Sequence, residues 1–159
     1  MVQRTFPLAV LQKRLRSSPQ SAQSFSLRRT SMERARSPKE IVLEFYRLAL
    51  EKFDPKAAFE AYATSDFVEH SADIPKGTRQ AAVDFLAGLI QRFPSPKWQV
   101  VRSAAEGDLV FLHVHVTPAP GERGVAIVEI FRVENSKIVE HWDVIQPVPE
   151  KPVNAPSMF

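Results

Sequence analysis

Hydrophobic spacing divides the chain near residue 96. Before it, apolar positions recur every three or four residues; after it, they alternate. "SPKEIVLEFYRLALEK" places Ile41, Phe45, Leu48 and Lys52, flanked by Val42 and Ala49, along one helical face. Ser37 suits an N-cap, Pro38 the first helical position and Glu40 the acid of a capping box. Asp54-Pro55 stops that helix and caps a short second one, "PKAAFEAYA". "DFVEHSA" alternates briefly and predicts a short strand. "GTRQAAVDFLAGLIQRF" predicts a third helix, starting near Thr78 and stopping before Pro94. From Lys97 the period is two. "KWQVVRSAAEGD" and "LVFLHVHVTP" predict strands joined by a turn at Glu106-Gly107-Asp108. "GVAIVEIFRV" and "KIVEHWDVIQ" predict two more, joined by the two-residue loop Asn135-Ser136. Helices followed by consecutive antiparallel strands make an α+β domain over 38–159, ending in the Pro-rich tail "PVPEKPVNAPSMF".

Charge changes the picture at the N-terminus. The net charge is +3, but residues 1–32 hold six basic residues and no acid, leaving 15 basic against 18 acidic residues in the rest. The domain is therefore mildly acidic, which argues against a nucleic-acid-binding surface. An Arg- and Ser-rich, acid-free segment reads either as a disordered leader or as a mitochondrial transit peptide. The expected location is accordingly cytoplasmic, or mitochondrial on the second reading. With no cysteine in the chain, thiolate metal sites, disulfides and a Cys nucleophile are excluded. No apolar run reaches the length of a membrane span.

Candidate chemistry depends on strand register. With Asn135-Ser136 as a tight loop, Glu134 pairs Lys137 and Glu129 lies opposite Trp142. One face then carries Val125, Ile127, Glu129, Phe131, Trp142 and Val144; the other carries Ala126, Val128, Ile130, Arg132, Val139, His141, Asp143 and Ile145. If Thr117 pairs Arg123, then His115, His113 and Phe111 join the Glu129 face. A slip of one residue sends both histidines to the face of His141 and Asp143 instead. The first register is preferred, because it lines an aromatic pocket with two imidazoles and a carboxylate. A buried carboxyl there has its pKa raised toward the range useful for acid/base work. His113-X-His115 with His70 or Glu129 also has the spacing of a metal site, but no dense ligand cluster accompanies it. His141 and Asp143 read as a structural polar pair at a subunit interface or as an Asp-oriented base. The second, apolar face is expected to be covered by another copy in a two-fold dimer.

"FVEHSADIPKG", "AEGDLVFLHVHV" and "VEIFRVENSKIVEHWDVIQPVPE" resemble SnoaL-like proteins, relatives of polyketide cyclases in the nuclear transport factor 2-like superfamily. The resemblance covers residues 38–159. It implies a cone-shaped fold, a curved antiparallel sheet wrapped by about three helices around a pocket. It also implies an aldol condensation or related isomerisation of a small apolar or carbonyl-containing ligand, without metal or organic cofactor. The family's acid/base residue falls on Glu129, its pocket histidines on His115 with His113, and the histidine of "FVEH" on His70. Trp142, Phe131, Ile127, Phe111 and Tyr46 are the expected pocket lining. An Asp is usual where Glu129 stands, and the relatives' "QHNP" is here "EHSA". The longer Glu displaces its carboxylate by about one methylene, which matters where about 1 Å governs catalysis. A non-catalytic ligand-binding or dimerisation domain therefore stands as the alternative.

Overall fold

The computed structural model describes residues 35–93 and 95–159, so the expected leader at 1–32 lies outside the described residues. Helix α1 (Pro38–Tyr46) begins with the capping box: Glu40 N donates to Ser37 Oγ, and Ser37 N donates to the Glu40 carboxylate. The chain continues as a π-helical turn, Arg47–Glu51, before Asp54 caps α2 (Pro55–Tyr62). Strand β1 (Ala63–Glu69), helix α3 (Arg79–Arg92) and strands β2 (Lys97–Glu106), β3 (Leu109–Thr117), β4 (Val125–Glu134) and β5 (Lys137–Pro147) follow. The α+β order read from the spacing is the order found. No described helix is long and apolar enough to cross a membrane.

The sheet runs β1-β5-β4-β3-β2, with β1 parallel to β5 and the other pairs antiparallel. The helices pack on one face, and the core lies between. Val42, Phe45 and Ala49 are buried there against Val110, Leu112 and Val114. Phe45, Phe59, Phe67 and Phe131 meet edge to face, with centroids 5.0 to 5.8 Å apart. Each such pair contributes about 0.5–1.5 kcal/mol beyond the area it buries.

Register differs from expectation at two places, and each has a local cause. Asn135 and Ser136 do form the tight loop, both at positive φ, and Glu134 pairs Lys137. But the ladder then shifts between Val133↔Ile138 and Arg132↔Glu140, leaving Val139 as an extra residue. The bulge moves Glu129 opposite Asp143 and Ile130 opposite Trp142. The parallel pairing of β1 with β5 also shifts at this point, between Ala63↔Ile138 and Val68↔Glu140. In the other hairpin Val116 pairs Val125, not Thr117 with Arg123, so His115 lies opposite Ala126 and His113 opposite Val128. Gly124 (φ 68°) closes this loop against the Val116 carbonyl; a Cβ there would lie 1.8 Å from that oxygen. Only glycine permits the approach.

The inner face consequently carries Leu112, Ile127, Glu129, Phe131, His141 and Asp143. The outer face carries Phe111, His113, His115, Val128, Trp142 and Val144. His115 and Glu129 do not share a cavity. Ile145, His141 and Asp143, expected at a subunit interface, turn inward instead.

Candidate active site

A cavity of about 300 Å³ opens between the inner sheet face and the helices, closed over by α1 and α3. Its walls are apolar and aromatic: Phe45 from α1, Phe85 and Leu86 from α3, Trp98 from β2, Ile127 and Phe131 from β4. Its polar groups gather at one end. They are Tyr46, Glu69, Asp73, Glu129, His141 and Asp143.

His141 is the centre of that group. Its Nδ1 lies 2.8 Å from Glu69 Oε1 and its Nε2 lies 2.6 Å from Glu129 Oε2. Three strands build this arrangement. Glu69 is the register partner of His141 across the parallel β1–β5 pair, and Glu129 sits one diagonal step away on β4. All three residues are buried. Burial alone would drive the imidazole neutral, but hydrogen bonds and charge from Glu129 and Glu69 outweigh it and push its pKa up to about 10. His141 is therefore an imidazolium at neutral pH, donating from both nitrogens.

Both carboxylates are fixed from their other sides. Tyr46 Oη donates to Glu129 Oε1 at 3.3 Å, and Ser71 N donates to Glu69 Oε1 at 2.9 Å. Desolvation, then the charge and hydrogen bond of Glu129, hold the Tyr46 phenol well above its ordinary pKa, so it remains a neutral donor. Gly77 braces β1 at this point. At φ 58°, its position leaves no room for a Cβ, which would stand 2.7 Å from the Glu69 carbonyl oxygen.

Asp143, directly opposite Glu129 on the inner sheet face, is not bound to His141. Ser71 Oγ donates to its Oδ2 at 3.0 Å. Burial raises its pKa, the Ser71 hydrogen bond opposes that, and the negative charge of Glu129 adds to it. The side chain is only half-buried, within reach of a ligand in the cavity.

The structure brings Glu129, Phe131, Ile127 and Tyr46 to the cavity and leaves the other expected site residues outside it. His113 Nδ1 lies 3.1 Å from Arg102 Nη1, and His115 Nε2 lies 2.7 Å from the Arg123 carbonyl oxygen. Both imidazoles stack on the ring of Phe159, at centroid distances of 5.6 and 4.0 Å. His70 stacks flat on Trp142 at 4.6 Å and faces Glu140 at 3.5 Å. Phe111 and Trp142 belong to the same outer surface. One cause covers all five: each sits at odd parity to the residues that enter the core, by the slipped register in β3, by the bulge in β5 and by Glu69 preceding His70 in β1.

Glu69, His141, Asp143 and Ser71 are the site residues that the sequence reading did not choose. For Glu69 a signal existed. Phe67 and Glu69 share a strand face, so a buried Phe67 carries Glu69 inward and His70 outward. Among the described residues no group of three or more His, Asp or Glu side chains is arranged to hold a metal ion.

The SnoaL-like domain family matches residues 42–141. Among solved structures, AclR from Streptomyces galilaeus, described as a candidate hydroxylase, is 26% identical over 69% of this chain and 88% of its own, with a TM-score of 0.58. IdmH from Streptomyces antibioticus, described as a candidate polyketide cyclase, is 19% identical over 69% of this chain and 92% of its own, with a TM-score of 0.57. An NTF2-like protein from Cytophaga hutchinsonii is 16% identical over 73% of this chain and 96% of its own, with a TM-score of 0.58. The last two likenesses show the fold. No curated protein gives a significant match.

Proposed function

The chain belongs to the SnoaL-like domain family, and from that premise we propose that its cavity carries out proton transfer on a small apolar carbonyl compound, with Asp143 as the acid/base and the Glu69–His141–Glu129 clamp as its electrostatic frame. The observation that carries this reading is the division of labour among the inner carboxyls. Two are committed to an imidazolium, and the third, directly opposite Glu129, is half-buried and raised in pKa by desolvation. A carboxyl whose pKa is moved toward neutrality both takes and returns a proton efficiently.

In the reaction, the Asp143 carboxylate takes a proton from the carbon next to the carbonyl. The C–H electron pair becomes a C=C bond, and the carbonyl oxygen gains negative charge, which the nearby His141 imidazolium offsets. The Asp143 proton then returns to the same carbon, to another carbon in an isomerisation, or to the alkoxide formed when the enolate attacks a second carbonyl. The aldol and isomerase outcomes differ only in that last step. Glu129, at the position of the relatives' acid, serves here by holding His141.

Solvent exchange tests the reading without knowledge of the natural substrate. β-Tetralone in heavy water carries acidic C–H groups next to its carbonyl and has an apolar body compatible with the cavity. The protein is expected to accelerate loss of those proton signals by NMR, and Asp143→Asn to reduce the acceleration by about a hundredfold or more. Equal exchange with both proteins, or none above buffer, refutes the reading. Saturable binding without exchange would leave a ligand-binding domain, which the almost wholly apolar walls also suit. The same proposal seats a second copy on the outer sheet face, where Val128 and Val144 are 40% and 66% exposed. A monomeric mass by light scattering at micromolar concentration would overturn that assembly.

A further inference from the structure

The polar end of the cavity holds more acids than bases. Three carboxyls, Glu69, Glu129 and Asp143, face one cation, His141, and among the described residues no Lys or Arg lines the cavity. Asp73 adds a fourth acid at the rim. Tyr46 contributes a neutral phenol, and the part of α3 that faces the cavity is apolar. Buried charges are stable when paired, and an excess of one sign in a largely apolar enclosure is unfavourable unless something neutralises it.

One oxygen shows where a further cation would sit. Glu69 Oε1 accepts from both Ser71 N and His141 Nδ1, yet Glu69 Oε2 receives no hydrogen bond from any described residue. Its side chain is only 3% exposed and lines the cavity. The oxygen is not among the sealed, unpartnered atoms of the described residues, so what little surface the side chain has includes it. It is a buried acceptor with an open side. Beside it, Asp143 leaves Oδ1 similarly without a donor among the described residues.

We propose that the ligand of this cavity is an apolar molecule carrying a protonated amine, its ammonium seated against Glu69 Oε2 and flanked by Asp143. The aromatic walls take the apolar body, and their ring faces also favour a cation. An anionic ligand, such as a carboxylate or a phosphate-bearing thioester, meets the same excess negative charge and is excluded. This deepens the reading of the cavity as a small-molecule site, because it names the charge class of the compound whose carbonyl Asp143 would serve.

Three ligands with one body test it: naphthylmethylamine, naphthylmethanol and naphthoic acid, titrated calorimetrically into the full chain near neutral pH. The amine is expected to bind about ten times more tightly than the alcohol, the range of one hydrogen bond to a charged group. The acid is expected to bind least. In Glu69→Gln the preference for amine over alcohol should fall to about twofold or less, with alcohol binding kept as the measure of an intact cavity. An alcohol or acid that matches the amine in the unaltered protein overturns the proposal, whatever the variant does. So does an amine preference that survives Glu69→Gln. Failure here with β-tetralone exchange intact removes only the charge class. Amine preference without exchange keeps the ligand and removes the proton transfer.

Discussion

The two faces of the sheet treat the same side chain in opposite ways. On the inner face His141 is buried and met at both nitrogens by carboxylates. On the outer face His70, His113 and His115 are partly open, stacked on Trp142 or Phe159, with an arginine, a carbonyl oxygen or a distant carboxylate at their nitrogens. The outer imidazoles lie flat against aromatic rings, whereas two buried carboxylates turn His141 into a fixed cation. The chemistry of a histidine in this fold is thus set by which carboxylates the register delivers to it. The pair His113-X-His115 has the more conspicuous spacing, and the single His141 has the partners.

The sharpest way to break this contrast is to remove the inner ring. His141→Leu leaves Glu69 and Glu129 buried without their cation, and stability should fall by about 3–5 kcal/mol in urea unfolding at neutral pH. A loss under about 1 kcal/mol would mean that the clamp is open to water. The pH dependence sharpens the point. Because the folded pKa of His141, about 10, lies above its ordinary value of 6.5, its stabilisation is fully present below about pH 6.5. It then erodes as pH rises and is gone above about pH 10. Unfolding free energy should decline across that window in the unaltered protein, at up to about 1.4 kcal/mol per pH unit. The His141→Leu variant should lack this slope.

How much of this was legible follows from what fixes a strand's parity. The helices and strands were readable because capping residues, prolines and the change of period are local signals. Ser37, Asp54 and Thr78 cap where their spacing says they should. The tight Asn135-Ser136 loop was readable for the same reason. Parity beyond the loop was not, because Val139 bulges in concert with an irregularity in β1, a strand some seventy residues earlier in the chain. Nor does local sequence show that Gly124 must pack against the Val116 carbonyl. One inserted residue and one tight approach exchanged the faces of His115 and His141. The apolar residues hide such an error, since both faces carry Val and Ile, and only the polar residues expose it.

A smaller effect of opposite sign is expected at Asp143. Its folded pKa is raised by burial, so it is at its most favourable when protonated, below its ordinary value of 3.8, and becomes unfavourable as pH rises through the folded value. Asp143→Asn keeps an acceptor for Ser71 Oγ and removes the ionisable group. The variant should be more stable than the unaltered protein at neutral pH, by no more than about 1 kcal/mol because the half-open side chain is screened by solvent. Near pH 4 the gain should disappear. A gain in stability together with loss of exchange is the signature of a residue kept for chemistry.

The least effect belongs to the outer pair. His113 and His115 touch Phe159, Arg102 and the Arg123 carbonyl, all at or near the surface, and neither faces the cavity. Replacing both with alanine removes two ring stacks and leaves no buried polar group unpaired. Surface substitutions of this kind stay within about 0.5 kcal/mol. β-Tetralone exchange and the amine preference should be unchanged, since the inner face keeps every group that serves them. Loss of exchange in the double variant, with stability intact, would show that these imidazoles reach the reaction after all. That result would dissolve the distinction between the faces, because parity would no longer separate the residues that act from those that do not.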